Sequence, residues 1–259
     1  MTKYYFLGVA LPEVKLGVEP EISFSEFCYM LKQNLSDHDW QKTRVVRLLY
    51  DIYNIKAYWL GQELDPRANL NKHELEETLI DGVRVPPFVL EFLQKYESQE
   101  DRLKYFSELI AAYFKTEISR SNGFLKKYLQ LEREVRLLFV GFRAKLLGRD
   151  LFRELQFENA NDDFIAQILA QKDSKDFEPP PAYADLKPIF AELHSQPLKL
   201  HQALIEYKFR KIEEILGFEK FSFDRILGYM VQLIMAEKWI ELNHEIGTQI
   251  VDRLVKDSA

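Results

Sequence analysis

With 259 residues, 47% of them hydrophobic and 14% aromatic, the chain can bury a substantial core and is not of the disordered class. Its net charge of -6 argues against a dedicated nucleic-acid binder, which carries a basic excess. The 10 glycines and 10 prolines are too few for an all-β chain rich in turns, whereas the abundance of Leu, Glu and Lys suits long helices.

Taken in chain order, Tyr4-Tyr5-Phe6-Leu7-Gly8-Val9-Ala10-Leu11-Pro12 reads as a short strand or a buried extended arm, because Gly8 and Pro12 count against a long helix. Pro12 and Glu13 also interrupt it too early for a signal peptide. Ser23 and Glu26 have the spacing of a capping box, so a helix is expected from Phe24. Ser36-Asp37-His38-Asp39 is a second helix start. The strongest helix of this half follows, from Trp40 to Leu60, with Val45, Leu48, Leu49, Ile52, Ile55, Trp59 and Leu60 expected on one apolar face and Gly61 as its stop. Short helices are predicted from His73 to Ile80 and after Pro86-Pro87.

One helix is expected from Ser98 to Ser119, a turn at Asn122-Gly123, and a second very long helix from Phe124 to Leu147, ending at Gly148. Asp162 opens another short one, where acidic residues favour the helix dipole. Asp173 to Pro188, with Pro179-Pro180-Pro181, reads as a loop or rigid bridge. Helices near Leu186 to Leu193, Leu198 to Leu216 and Ser222 to Val255 complete an all-α chain, with Gly247 a possible kink in the last.

Constellations that carry chemistry are sparse. Neither a phosphate-binding loop nor a nucleophile elbow is present. Cys28, the single cysteine, permits neither an intramolecular disulfide nor a cysteine-based zinc site, and fits a reducing compartment. Glu241 and His244 match half of a di-iron pattern, but a second such pair is missing. Pro197 separates His194 from His201. The basic stretch from Lys126 to Arg153 is interleaved with Glu132, Glu134 and Asp150 and reads as a solvated helix face, with Tyr128, Phe139 and Phe142 as core. No cofactor or metal is expected. No run approaches the ~18 apolar residues of a membrane span, so the chain is expected to be soluble and cytoplasmic, meeting a membrane only through a partner.

An internal repeat is the most informative pattern. Lys56 to Leu64 aligns with Arg143 to Leu151: Ala57 with Ala144, Leu60 with Leu147, Gly61 with Gly148 and Leu64 with Leu151 are identical, and Glu63 and Asp150 keep their charge. Both copies end a long helix at a glycine. Helix-stop chemistry explains the basic residue and the glycine but only part of the rest.

The segment Arg47-Leu48-Leu49-Tyr50-Asp51-Ile52-Tyr53-Asn54-Ile55-Lys56-Ala57-Tyr58-Trp59-Leu60-Gly61 resembles a recurring helix of the C subunit of V/A-type ATPases, the relative of the eukaryotic d subunit. That helix has an apolar run, then Asp-x-x-Asn-Ile, then a basic-Ala ending before a glycine. The opening Tyr4-Tyr5-Phe6-Leu7 resembles that of a shorter bacterial family encoded with V-type ATPase subunits. The second copy keeps the Arg/Ala/Gly ending but has Leu138 and Gly141 where the pattern has Asp and Asn.

The resemblance implies a single helical domain over 1–259, built from related units of roughly 1–85, 86–172 and 173–259 around a funnel-like hollow. It implies a non-catalytic central-stalk subunit that couples the rotating shaft to the proteolipid ring, peripheral on the inner face of the membrane. Charge and position at the unit ends make Arg47, Lys56, Arg143 and Arg149 the candidate partner contacts. The rival expectation is a helical adaptor or regulatory protein unrelated to a rotary enzyme.

Overall fold

A computed structural model describes residues 4–219 and 221–257, with side chains described as far as residue 243. Its described residues form thirteen α-helices and one 3-10 turn, with no strand among them. In chain order these are α1 (Tyr5–Ala10), α2 (Phe24–Asn34), α3 (Asp37–Trp59), α4 (Lys72–Asp81), α5 (Pro87–Lys95), α6 (Gln99–Lys104), α7 (Phe106–Arg120), α8 (Gly123–Leu146), α9 (Leu151–Glu154) and α10 (Asp163–Leu169). The 3-10 turn (Pro181–Tyr183), α11 (Leu186–Leu193), α12 (Pro197–Leu216) and α13 (Phe223–Asp257) follow. The all-α class read from the sequence is therefore observed.

The starts are set by local chemistry. At α2, the Ser23 amide donates to Glu26 Oε2 at 2.8 Å and the Glu26 amide to Ser23 Oγ at 3.2 Å, the expected reciprocal cap. Ser36 caps α3 by accepting from the Asp39 amide, and Ser222 caps α13 by accepting from the Arg225 amide. A second capping box, Asn71 with Glu74, opens α4.

Two expectations need correction. The N-terminal segment is not extended: Tyr5–Ala10 is a short helix. Tertiary packing holds it, with Leu7 buried, the Tyr4 ring 5.8 Å from that of Phe223 and Tyr5 5.2 Å from Phe221. Docking against α13 overrides the weak helix propensity of a short aromatic segment containing glycine. The helix expected from Ser98 to Ser119 is two helices, broken at Tyr105 (φ -100°, ψ 15°). The Tyr105 ring stacks on Tyr96 at 4.8 Å and meets the edge of Phe157, a placement a continuous helix does not provide.

The contacts divide the chain into two compact units. The first is discontinuous, comprising 1–34, 141–147 and 173–259; the second comprises 35–140 and 148–172.

In the first unit, α13 packs along α12 and against α1 and α2. Every residue of α13 from Ile226 to Ala236 is buried, so this stretch is covered on all sides. Ile205, Phe209 and Ile212 of α12 are buried with it, each such side chain contributing about 1.5–3 kcal/mol. Gly228 admits Leu216 so closely that a Cβ would stand 2.5 Å from it. The Phe24 amide, at the start of α2, donates to Glu237 of α13 at 2.7 Å.

The proline-rich stretch also belongs to this unit and is anchored by an aromatic. Phe177, 3% exposed, lies edge-on to the buried Phe142 at 5.0 Å and covers Gly141, where a Cβ would come within 2.7 Å of its ring. Gly141→Ala is expected to lower stability by about 1–3 kcal/mol through overpacking, read from the urea unfolding midpoint.

In the second unit, α7 packs against α3, α5 and α6. Ile52, Ile55, Leu109 and Tyr113 are buried there, and the Tyr113 hydroxyl donates to the Val45 carbonyl at 3.0 Å. Tyr128 and Phe139 of α8 are also buried, as core aromatics.

Glu117 of α7 is 7% exposed, and burial raises its carboxyl above the ordinary range, partly offset by Arg120. Below about pH 4 the group is protonated in both folded and unfolded chains and contributes no difference. As pH rises the unfolded chain ionises first, so the native state loses stability. Glu117→Gln is therefore expected to match the native chain at low pH and to exceed it in urea midpoint at neutral pH.

Candidate functional site

The segment that carries the resemblance is built around three polar residues of α3. Arg47, Asp51 and Asn54 are spaced i, i+4 and i+7 and share one face. That face binds the loop that follows α3. Asp51, 2% exposed, accepts from the Asn69 side-chain amide at 2.7 Å and from the Leu70 backbone amide at 2.9 Å. Asn54 pairs with the backbone of Asp65 in both directions, donating to its carbonyl at 2.9 Å and accepting from its amide at 2.8 Å. Arg47 donates to the carbonyls of Arg67 at 3.1 Å and Ala68 at 2.5 Å.

The loop adds its own support. Arg67 is buried at 3% exposure and its guanidinium meets Asp65 at 3.3 Å, while Asn69 also donates to the Arg44 carbonyl at 3.0 Å. A backbone with no helix or sheet partners thus has its groups satisfied by one helix face. Burial pushes Asp51 above the usual carboxylate range, opposed by its donors from Asn69 and Leu70. Beside the loop lies a groove of about 850 Å³, bordered by Tyr58, Gln62, Glu63 and Lys72. Its border carries both signs of charge. Among the described residues no group of three His, Cys, Asp or Glu side chains is placed to hold a metal ion.

The four candidate contacts have different surroundings. Arg47 is half-buried, engaged with the loop, and borders the groove. Lys56 is half-buried near the end of α3, its Nζ 5.2 Å from the centre of the Phe106 ring. Arg143 is exposed on the part of α8 that belongs to the first unit. Arg149 is exposed in the second unit and lies 3.6 Å from Glu154.

The repeat has a shared geometry. Gly61 and Gly148 both adopt left-handed backbone, with φ of 65° and 61°, and each has open space where a side chain would stand. The leucines before them, Leu60 and Leu147, are 46% and 57% exposed, so Leu60, expected on the apolar face of α3, instead lies past its last turn and outside the core. Core packing does not account for an identical leucine at two exposed positions.

The basic stretch corrects the expectation of a solvated face. Arg133 and Arg136 of α8 turn inward and meet Glu158, which is only 7% exposed. Arg133 lies 3.1 Å from Glu158 and 3.0 Å from Asp162, and Arg136 bonds the other carboxylate oxygen of Glu158. Sequence reasoning missed Glu158 and the loop residues Asp65, Arg67 and Asn69. The signal for the last three was the polar density of Asp65-Pro66-Arg67-Ala68-Asn69-Leu70-Asn71. The His244 half of the di-iron pattern lies outside the residues whose side chains are described.

A family model described as "Protein of unknown function (DUF2764)" matches residues 1–258. Among curated proteins, an uncharacterized protein of Chlamydia muridarum is 27% identical over 262 residues, covering 99% of this chain and 98% of its own length. Uncharacterized proteins of Chlamydia trachomatis and Chlamydia pneumoniae, at 26% and 27% identity, align over the same shares. No solved structure matches.

Proposed function

The chain belongs to the DUF2764 family, and from that premise we propose that it is a non-catalytic central-stalk component of a V-type ATPase, similar to the C subunit of the V/A-type enzymes. In this role it links the rotating shaft to the proteolipid ring and makes or breaks no bond. It sits on the cytoplasmic face of the membrane through that ring.

The observation that carries the reading is the twin helix stop. Helices α3 and α8 each end in an exposed leucine followed by a left-handed glycine with open space beside it. A coupling subunit needs stiff helices whose ends are shaped alike and free to meet partners. The network of Arg47, Asp51 and Asn54 supports the same reading, because it stiffens the backbone beyond one such end without enclosing a reaction centre. Arg47, Lys56, Arg143 and Arg149, with Leu60 and Leu147, are the proposed contacts. No helix among the described residues is long and apolar enough to cross a membrane, so contact through a ring partner is the arrangement this reading uses.

Affinity capture of the tagged chain from its native membranes tests the proposal. Near-stoichiometric recovery of stalk and proteolipid subunits is the expected result. Their absence, from membranes holding an intact rotary ATPase, would overturn it and leave the adaptor role.

A further inference from the structure

Within the buried run of α13, two groups break the apolar pattern: the Tyr229 hydroxyl and the Gln232 carboxamide. With Arg225 they are spaced i, i+4 and i+7, on one face of the helix. All three line one cavity of about 270 Å³, which lies wholly in the first unit. Its apolar walls come from Leu11, Pro12 and Val14 after α1, and from Ile226.

None of the three polar side chains is satisfied by the described residues. The Tyr229 hydroxyl is buried without a hydrogen-bond partner. Gln232 is 6% exposed, and neither its carboxamide nor the Arg225 guanidinium has a partner among the described residues. A buried polar group without a partner is destabilising. That buried hydroxyl, beside the Gln232 carboxamide and a half-exposed guanidinium, marks a place where something else supplies the partners.

The chemistry of the lining restricts what that is. A guanidinium offers a planar fork of donors matched to a carboxylate, and a phenol and a carboxamide add neutral hydrogen bonds. Burial, with Glu21 nearby, pushes the Tyr229 hydroxyl up to about 12, so it stays a neutral donor. Two acidic side chains also line the cavity. Glu13 is paired with Lys15 at 2.8 Å, and Glu213 is exposed on α12. Lys15 offsets Glu13 and Glu213 is screened by solvent, so these acidic neighbours weigh more heavily against a phosphate dianion than against a single carboxylate held by the guanidinium. The volume suits a group the size of one amino-acid residue.

We infer that this cavity binds a monocarboxylate with a short apolar stem, the carboxylate on Arg225 and the stem against Leu11, Pro12, Val14 and Ile226. The same chemistry comes from a free small acid or from the C-terminal residue of a partner chain. The inference does not depend on the rotary role.

Calorimetric titration of the full chain tests it with three probes: N-acetyl-L-leucine, its neutral amide, and 4-methylpentanoate. The carboxylates are expected to bind about tenfold or more tighter than the amide. Arg225→Met should abolish that preference while the circular dichroism of the chain is unchanged. Tyr229→Phe should weaken the carboxylates yet raise the thermal midpoint, because it removes an unpaired hydroxyl. Tighter binding of N-acetyl-L-leucine than of 4-methylpentanoate assigns the site to a chain terminus, and the reverse assigns it to a small acid. Absence of binding by every probe, equal binding of acid and amide, or a preference that survives Arg225→Met overturns the inference and leaves a cavity that holds water alone.

Discussion

Asp51→Ala is expected to destabilise the protein by about 3 kcal/mol, measured as a fall in urea midpoint with unchanged slope. The carboxylate is 2% exposed and accepts from the Leu70 amide and the Asn69 side chain. Alanine removes both acceptors and leaves a buried backbone N–H with no partner, so the loss is a desolvation cost as well as a lost bond. The Asn69 amide keeps its bond to the Arg44 carbonyl, which limits the damage on that side. Asp51→Asn tests the geometry separately. Its amide places a donor against one of two donors, so it should recover little of the loss. Limited proteolysis provides a local readout, since cleavage between Gly61 and Asn71 should accelerate in both variants. A change below about 0.5 kcal/mol, the range of ordinary surface substitutions, would show that the loop does not depend on this helix face.

Glu158→Ala should cost more, about 3–5 kcal/mol, by the cost of breaking a buried ion pair from one side. Glu158 is 7% exposed and bonds both Arg133 and Arg136. Its removal leaves two half-buried guanidinium groups facing each other, with Asp162 beside Arg133 as the remaining carboxylate. Arg136 is the more affected, because its Nε already lacks a partner and its guanidinium otherwise rests over the Phe114 ring at 5.7 Å. Adding Arg136→Met to Glu158→Ala should recover part of the lost stability, a coupling that a double-mutant cycle reads directly. An additive cycle would refute the idea that the three charges act as one unit.

The helices were legible because their signals are local. Ser23 with Glu26, Ser36 before Asp39, and Gly61 and Gly148 act within one turn, and each behaves as its spacing implies. What the sequence concealed depends on residues far apart in the chain. The helical state of Tyr5–Ala10 is held by α13, and no local propensity specifies it. Arg133 and Arg136 occur in a mixed-charge run whose composition does not reveal that Glu158 folds back onto it. The site shows both cases. Arg47, Asp51 and Asn54 were visible as a motif, yet their spacing alone did not show that the partner is the chain's own loop.

The discontinuity of the first unit has a consequence for biosynthesis. Its residues 1–34 leave the ribosome first, yet α13, against which α1 and α2 pack, is made last. The second unit, whose residues end at 172, is fully emerged well before then. At about 5–20 residues per second the N-terminal aromatics wait on the order of ten seconds for their cover. The nascent chain therefore matures from its middle outward, and a stalled or truncated product lacking α13 exposes Phe24, Phe27 and Leu31 to chaperones and proteases while its central unit is already formed.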